Sequence, residues 1–70
     1  MERMPVQSSN LASVGYDPST QILEIEFLQG GIYQYYGVPN WIYSGLMSAP
    51  SKGSYFAQHI RNAYTYTKVG

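Results

Sequence analysis

Apolar and polar positions alternate most clearly in "QILEIEFL", where Leu23, Ile25 and Phe27 fall on one face and Glu24 and Glu26 on the other. That period belongs to a half-buried strand. Upstream, "LASVGYD" places Leu11, Val14 and Tyr16 in a short strand, and Asp17, Pro18 and Ser19 then supply turn chemistry. Downstream, "QGG" turns the chain into "IYQYYGV", a third strand rich in β-formers. Val38-Pro39 ends the ladder because proline has no backbone donor, and Pro39 suits the first turn of a helix over "PNWIYSGLMSA". Ile42, Leu46 and Ala49 form its inward stripe; Gly45 costs it about 1 kcal/mol against alanine, and Pro50 stops it. A second helix starts in "SKGS" with Ser51 or Ser54 as N-cap, stacking Phe56, Ile60 and Tyr64 at i, i+4 and i+8. The tail "YTYTKV" alternates like a short last strand. Residues 1–10, "MERMPVQSSN", have no period and read as a flexible N-terminal arm able to order against a single domain spanning 11–70. The fold class expected is α+β: a three-stranded antiparallel meander followed by two short helices, with an optional C-terminal strand.

The loop between the second and third strands decides where the tyrosines point, since changing its parity flips the whole third strand. A two-residue loop sets Gln34 and Tyr36 beside Phe27, Ile25 and Leu23. A three-residue loop at Gln29-Gly30-Gly31, with a glycine at the left-handed bulge position, sets Tyr33 and Tyr35 next to Phe27 and Ile25 instead. The second arrangement is preferred, because it keeps Gln34 out of the core and lets Gly37 sit where the first helix crosses. Tyr33 and Tyr35 are then mainly core with hydroxyls at the rim. Tyr36 shares the outer face with Gln34, Trp41 lies off the helical stripe, and Tyr43 with Met47 flanks it.

"VGYD", "LEIEF", "GGIYQYYGVP", "WIYSGLMSAPSKGSYFAQHIR" and "YTY" together resemble the KTSC domain along nearly the whole chain from about Ser9. The family pattern reaches Tyr16, Phe27, Tyr33, Tyr35, Val38, Pro39, Ala49, Ser51, Gly53, Phe56, Ile60 and Arg61. The resemblance implies a small domain found at the C-terminus of some lysyl-tRNA synthetases and as stand-alone bacterial or phage proteins. It also implies single-stranded RNA binding, suggested for the family, as one function.

With 70 residues, no cysteine and no cluster spaced for a metal, the chain lacks the usual staples of a very small domain. Its eight tyrosines, two phenylalanines and one tryptophan are therefore first a packing resource, each ring removing about 150–250 Å² from water. Four Lys/Arg against four Asp/Glu give zero net charge, which disfavours long nucleic acid. No apolar run is long enough to span a membrane, and "MERMPVQ" lacks the order of a signal peptide, so a cytoplasmic protein is expected.

Catalysis is not expected. His59 sits mid-helix among polar neighbours, Asp17 has no assigned partner, and no nucleophile motif, phosphate loop, cofactor or metal signature is present. The best chemical feature is "SAPSKGSYF", where Ser51, Lys52 and Gly53 lead into a helix N-terminus that can hold an anion or can be a plain capped turn. Arg61 is either a further anion ligand or a charge complementing the helix dipole. Two functions follow. In the first, a non-enzymatic module binds a nucleobase-containing ligand, a small nucleotide rather than a long strand: Tyr36, Trp41 or Tyr43 stacks the base, and Ser51, Lys52, Gly53 and Arg61 meet phosphate. Such a phage-type module could sequester a nucleotide signal, with its pocket between protomers of a homo-oligomer. In the second, the outer rings form a protein interface, homo-oligomeric or with another partner.

Overall fold

The computed structural model describes all 70 residues, as β1 (Met4–Pro5), β2 (Leu11–Asp17), β3 (Ile22–Phe27), β4 (Ile32–Tyr35), α1 (Asn40–Ser48), α2 (Lys52–His59) and β5 (Tyr66–Lys68). The strands form one five-stranded antiparallel sheet in the order β1-β2-β3-β4-β5. The expected α+β class is thus observed, with short strands added at both edges. In residues 1–10, read as an arm able to order against the body, Met4 pairs with Val14 and Pro5 with Ser13.

Glycine chemistry sets the β3–β4 register. The Gly30 N–H donates to the Phe27 carbonyl at 2.9 Å, and the Phe27 N–H donates to the Gly31 carbonyl at 3.1 Å. The loop is therefore Leu28-Gln29-Gly30, one residue earlier than the expected Gln29-Gly30-Gly31. Gly30 takes the bulge position at φ +113°, a backbone region costly for any side chain. The register moves by two residues, so that Ile25 faces Tyr33 and Leu23 faces Tyr35. A shift of two preserves the faces, and Tyr33 and Tyr35 stay on the apolar side as expected. A register irregularity between Leu11 and Ser13 does similar work in β2: the extra residue lets Leu11 and Val14, three apart, both turn to the core.

Pro39 precedes α1 in extended conformation, and Ile42 and Leu46 are its buried residues. Ser51 caps α2, its Oγ accepting the Ser54 N–H at 3.3 Å. Phe56 and Ile60 are buried, but α2 ends at His59, so Tyr64 packs on the core from beyond the helix rather than as its third stacked position. Gly45 has a structural purpose: a Cβ there would lie 2.1 Å from the Tyr55 hydroxyl, so its absence admits the α2 ring against α1. Gly37 does not mark a helix crossing, since open space surrounds it; its φ of +73° makes it a turn glycine.

The back of the sheet is polar yet covered. Residues 2 and 3 cross it at Gly15, where a Cβ would sit 2.5 Å from the Glu2 carbonyl oxygen. Arg3 there ion-pairs with Glu24 and donates from Nε to Ser13 Oγ at 2.9 Å. Ser13 Oγ in turn donates to Glu26 Oε1 at 2.9 Å, and Gln34 Nε2 donates to Glu24 Oε1 at 2.8 Å. Burial pushes the Glu24 carboxyl up, but hydrogen bonds from Gln34 and Arg3 and the Arg3 charge outweigh it and hold the group below the usual carboxylate value.

Candidate functional site

The register that keeps Tyr33 and Tyr35 on the front also brings in the tail, because β5 sets Tyr66 opposite Tyr35 and Lys68 opposite Tyr33. With Phe27 from β3 and Phe56 from α2, these rings close a circuit. Centroid separations are 5.6 Å for Phe27–Tyr33, 5.8 Å for Tyr33–Tyr66, 5.5 Å for Tyr66–Tyr35, 5.4 Å for Tyr35–Phe56 and 5.3 Å for Phe56–Phe27. Three of these contacts are edge-to-face, an arrangement favoured by the ring quadrupole.

An open cleft of about 510 Å³ lies over the circuit, with Arg61, Asn62, Asn10, Gln29 and Gly53 among its other lining residues. Its volume is in the range of small-molecule sites, and its lining divides between aromatic rings and polar groups. Tyr35 is buried and Tyr66 is largely exposed, so the cleft has a floor and a rim. Burial pushes the Tyr35 hydroxyl up to about 12, with the neighbouring Tyr66 and Tyr33 acting in the same direction and the Arg61 charge opposing them. It is therefore a neutral donor at physiological pH. No Asp or Glu lines the cleft, and the chain's one ion pair, Arg3–Glu24, does not involve Arg61.

Of the residues singled out from sequence, Gly53 and Arg61 line this cleft; Tyr36, Trp41, Tyr43, Ser51 and Lys52 do not. Tyr36 is half-buried, its hydroxyl 3.5 Å from Gln34 Oε1. Trp41 is 71% exposed in the first turn of α1. Tyr43 stacks on Tyr16 at 4.5 Å and 9°, while the Tyr16 hydroxyl donates to the Val38 carbonyl at 2.6 Å. Ser51 is committed to its cap, and Lys52 Nζ donates to the Ala49 carbonyl at 3.4 Å. His59 lies 4.5 Å from the Tyr55 ring, and no group of three or more His, Cys, Asp or Glu is placed to hold a metal. Tyr66, Asn10 and Asn62 were not anticipated. The alternation of "YTYTKV" marked Tyr66 as a strand residue, but only the pairing with β4 places it beside Tyr35.

Comparison with known proteins agrees with this architecture. The KTSC domain family model matches residues 7–64. A protein of Stutzerimonas stutzeri is 43% identical over 70 residues, covering 99% of each chain. A lysine–tRNA ligase of a Nostoc species is 38% identical over 63 residues, which are 90% of this chain but 11% of the ligase. The crystal structure of a KTSC domain protein from Yersinia pestis superposes with a TM-score of 0.96 at 45% identity, covering 99% of this chain and 97% of the other.

Proposed function

The chain belongs to the KTSC domain family, and from that premise we propose that it is a non-catalytic binding module whose cleft takes a nucleobase-containing ligand of small-nucleotide size. The observation that carries this reading is the ring-lined cleft with an unpaired guanidinium at its side. A base has two apolar faces and a polar edge. Tyr66 at the rim offers a ring to stack on, and Asn10, Gln29 and Asn62 offer donors and acceptors for the edge. Arg61 supplies one cation, enough for one or two phosphates, whereas zero net charge leaves no basic track for a long strand. The tRNA ligase relatives, in which the matching segment is 11% of the length, fit an appended module that adds recognition to a separate catalytic body. Tyr66 thus takes the stacking role first given to Tyr36, Trp41 and Tyr43.

Thermal-shift and NMR titrations with nucleosides, mononucleotides and dinucleotides at millimolar concentration test the proposal. Saturable stabilisation, abolished in Tyr66→Ala, is expected. Absence of any response to all of these ligands sinks it.

A second reading, an oligomerisation or protein-interaction module, rests on two different observations. Residues 65–70 are all exposed along the open edge of β5, and Trp41 stands 71% exposed on α1. Light scattering discriminates: a concentration-dependent dimer mass that Thr67→Pro returns to monomer supports it, and a monomer at every concentration removes self-association. No helix of the chain is long and apolar enough to cross a membrane.

A further inference from the structure

Two tyrosines in contact with the core behave differently. The hydroxyl of Tyr16, half-buried, donates to the Val38 carbonyl at 2.6 Å. Tyr35 is more deeply buried, at 4% exposure, yet its hydroxyl makes no hydrogen bond within the chain. No side-chain polar atom sealed from solvent lacks a partner, so this free hydroxyl reaches an open surface rather than ending inside the core. That surface is the cleft, whose floor Tyr35 lines. Arg61 lines the same cleft, close enough for its charge to act on the Tyr35 hydroxyl, and is free of any carboxylate.

Two further lining residues carry donors. Gly53 and Asn10 line the cleft together, close enough that a Cβ on Gly53 would lie 3.0 Å from Asn10 Nδ2. Gly53 is in the first turn of α2, where backbone N–H groups have no intrahelical acceptor, and the Ser51 cap takes the N–H of Ser54. The cleft thus gathers a guanidinium, a free hydroxyl and a carboxamide, with no negative charge among its lining residues.

We infer that the Tyr35 hydroxyl and the Arg61 guanidinium form an anion seat at the floor of the cleft, accepting one phosphate group of the nucleotide with the Gly53 N–H and the Asn10 carboxamide beside it. The inference rests on the nucleotide reading above and gives it a direction: phosphate inward, base outward against Tyr66 at the rim. A neutral hydroxyl suits this task because it donates without adding charge, and a phosphate oxygen accepts a strong hydrogen bond from it.

The test is an NMR titration of the protein with inorganic phosphate, a nucleoside and the matching nucleoside monophosphate, using the wild type, Tyr35→Phe and Arg61→Gln. Phosphate is expected to shift the backbone resonances of Tyr35, Gly53 and Arg61 saturably. Each variant is expected to lose about tenfold in affinity for phosphate and for the monophosphate, in line with hydrogen bonds to charged groups, and to leave nucleoside affinity unchanged. Tyr35→Phe keeps the packed ring, and Arg61 is exposed; melting curves verify that both variants fold. Equal affinity for nucleoside and monophosphate, or an unchanged monophosphate affinity in both variants, overturns the seat while leaving the binding-module reading intact. Phosphate binding that depends on Tyr35 and Arg61, with monophosphate no tighter than phosphate, supports the seat and overturns the nucleotide reading. No response to phosphate overturns the seat.

Discussion

Tyr66 on the front of the sheet is 56% exposed, while Glu24 on the back is 5% exposed, the reverse of what their side chains suggest. Alternation assigned the β3 and β4 residues to their faces, but a face is not an exposure. The helices cover the front over β2, β3 and β4 and leave the outer strand open, so aromatic residues that help to build the core also line an accessible cleft. The back has no helix. Residues 2 and 3 cross it instead, admitted by Gly15, and Arg3 and Gln34 compensate the charge that this crossing buries. What distinguishes the two faces is therefore what lies over them. Uncharged hydroxyls at the front leave room for a ligand, whereas the carboxylate at the back is already partnered.

The sharpest way to break the contrast is at Tyr35. Tyr35→Ala removes a buried ring from the five-ring circuit and should lower stability by about 3–5 kcal/mol in urea denaturation. Tyr35→Phe, which breaks no internal hydrogen bond, should stay within about 1 kcal/mol of wild type. A large loss in Tyr35→Phe would mean that the hydroxyl has a structural partner.

Next comes Arg3→Ala, expected to cost about 2–3 kcal/mol because it leaves the Glu24 charge covered with one partner fewer. In a double-mutant cycle with Glu24→Gln, the combined loss should fall short of the sum; strict additivity would show that the arm is not coupled to the sheet. Gly15→Ala, which pushes the arm away, should mimic Arg3→Ala. The pH dependence has a definite sign. The folded state holds the Glu24 carboxyl below its ordinary value, so the carboxylate's stabilisation is complete above about pH 4–5 and is lost as pH falls through the folded value. The stability advantage of wild type over Glu24→Gln should narrow in that acid range and stay flat near neutrality.

The smallest effect belongs to Trp41. With its ring 71% exposed and outside the cleft, Trp41→Ala should change stability by less than about 0.5 kcal/mol and leave cleft-ligand affinity untouched. Loss of ligand binding in this variant, measured in the same titrations, would return the ligand to the outer face of α1.

Much of the architecture was legible because it is local. Leu23, Ile25 and Phe27 declared their face by period, Pro39 and Pro50 bounded α1, and the α2 cap was narrowed to Ser51 or Ser54, of which Ser51 serves. The face of Tyr33 and Tyr35 followed from loop parity, although the turn closes one residue earlier than expected, since Gly30 and not Gly31 takes the bulge position. Of the residues lining the cleft, Gly53 was singled out in the sequence through the chemistry of a helix start and Arg61 as a basic residue near the other end of that helix. The rings that line the cleft were not, because an exposed ring was sought outside the core, and the aromatic surface open to the cleft is instead an uncovered edge of the core itself.

By itself, the sequence determined the three central strands and the two helices, which of their side chains share a face, and that aromatic rings rather than disulfides must supply the burial. These follow from periodicity, turn chemistry and composition, which act within a few residues or on the chain as a whole. Tertiary structure alone decided that β5 returns beside β4 to set Tyr66 against Tyr35, that Arg3 meets Glu24 across the back, and that Tyr35 faces a cleft with Arg61. Each of these joins segments far apart in the chain, and such pairings depend on which surfaces pack together over the whole molecule, a choice that no local pattern encodes.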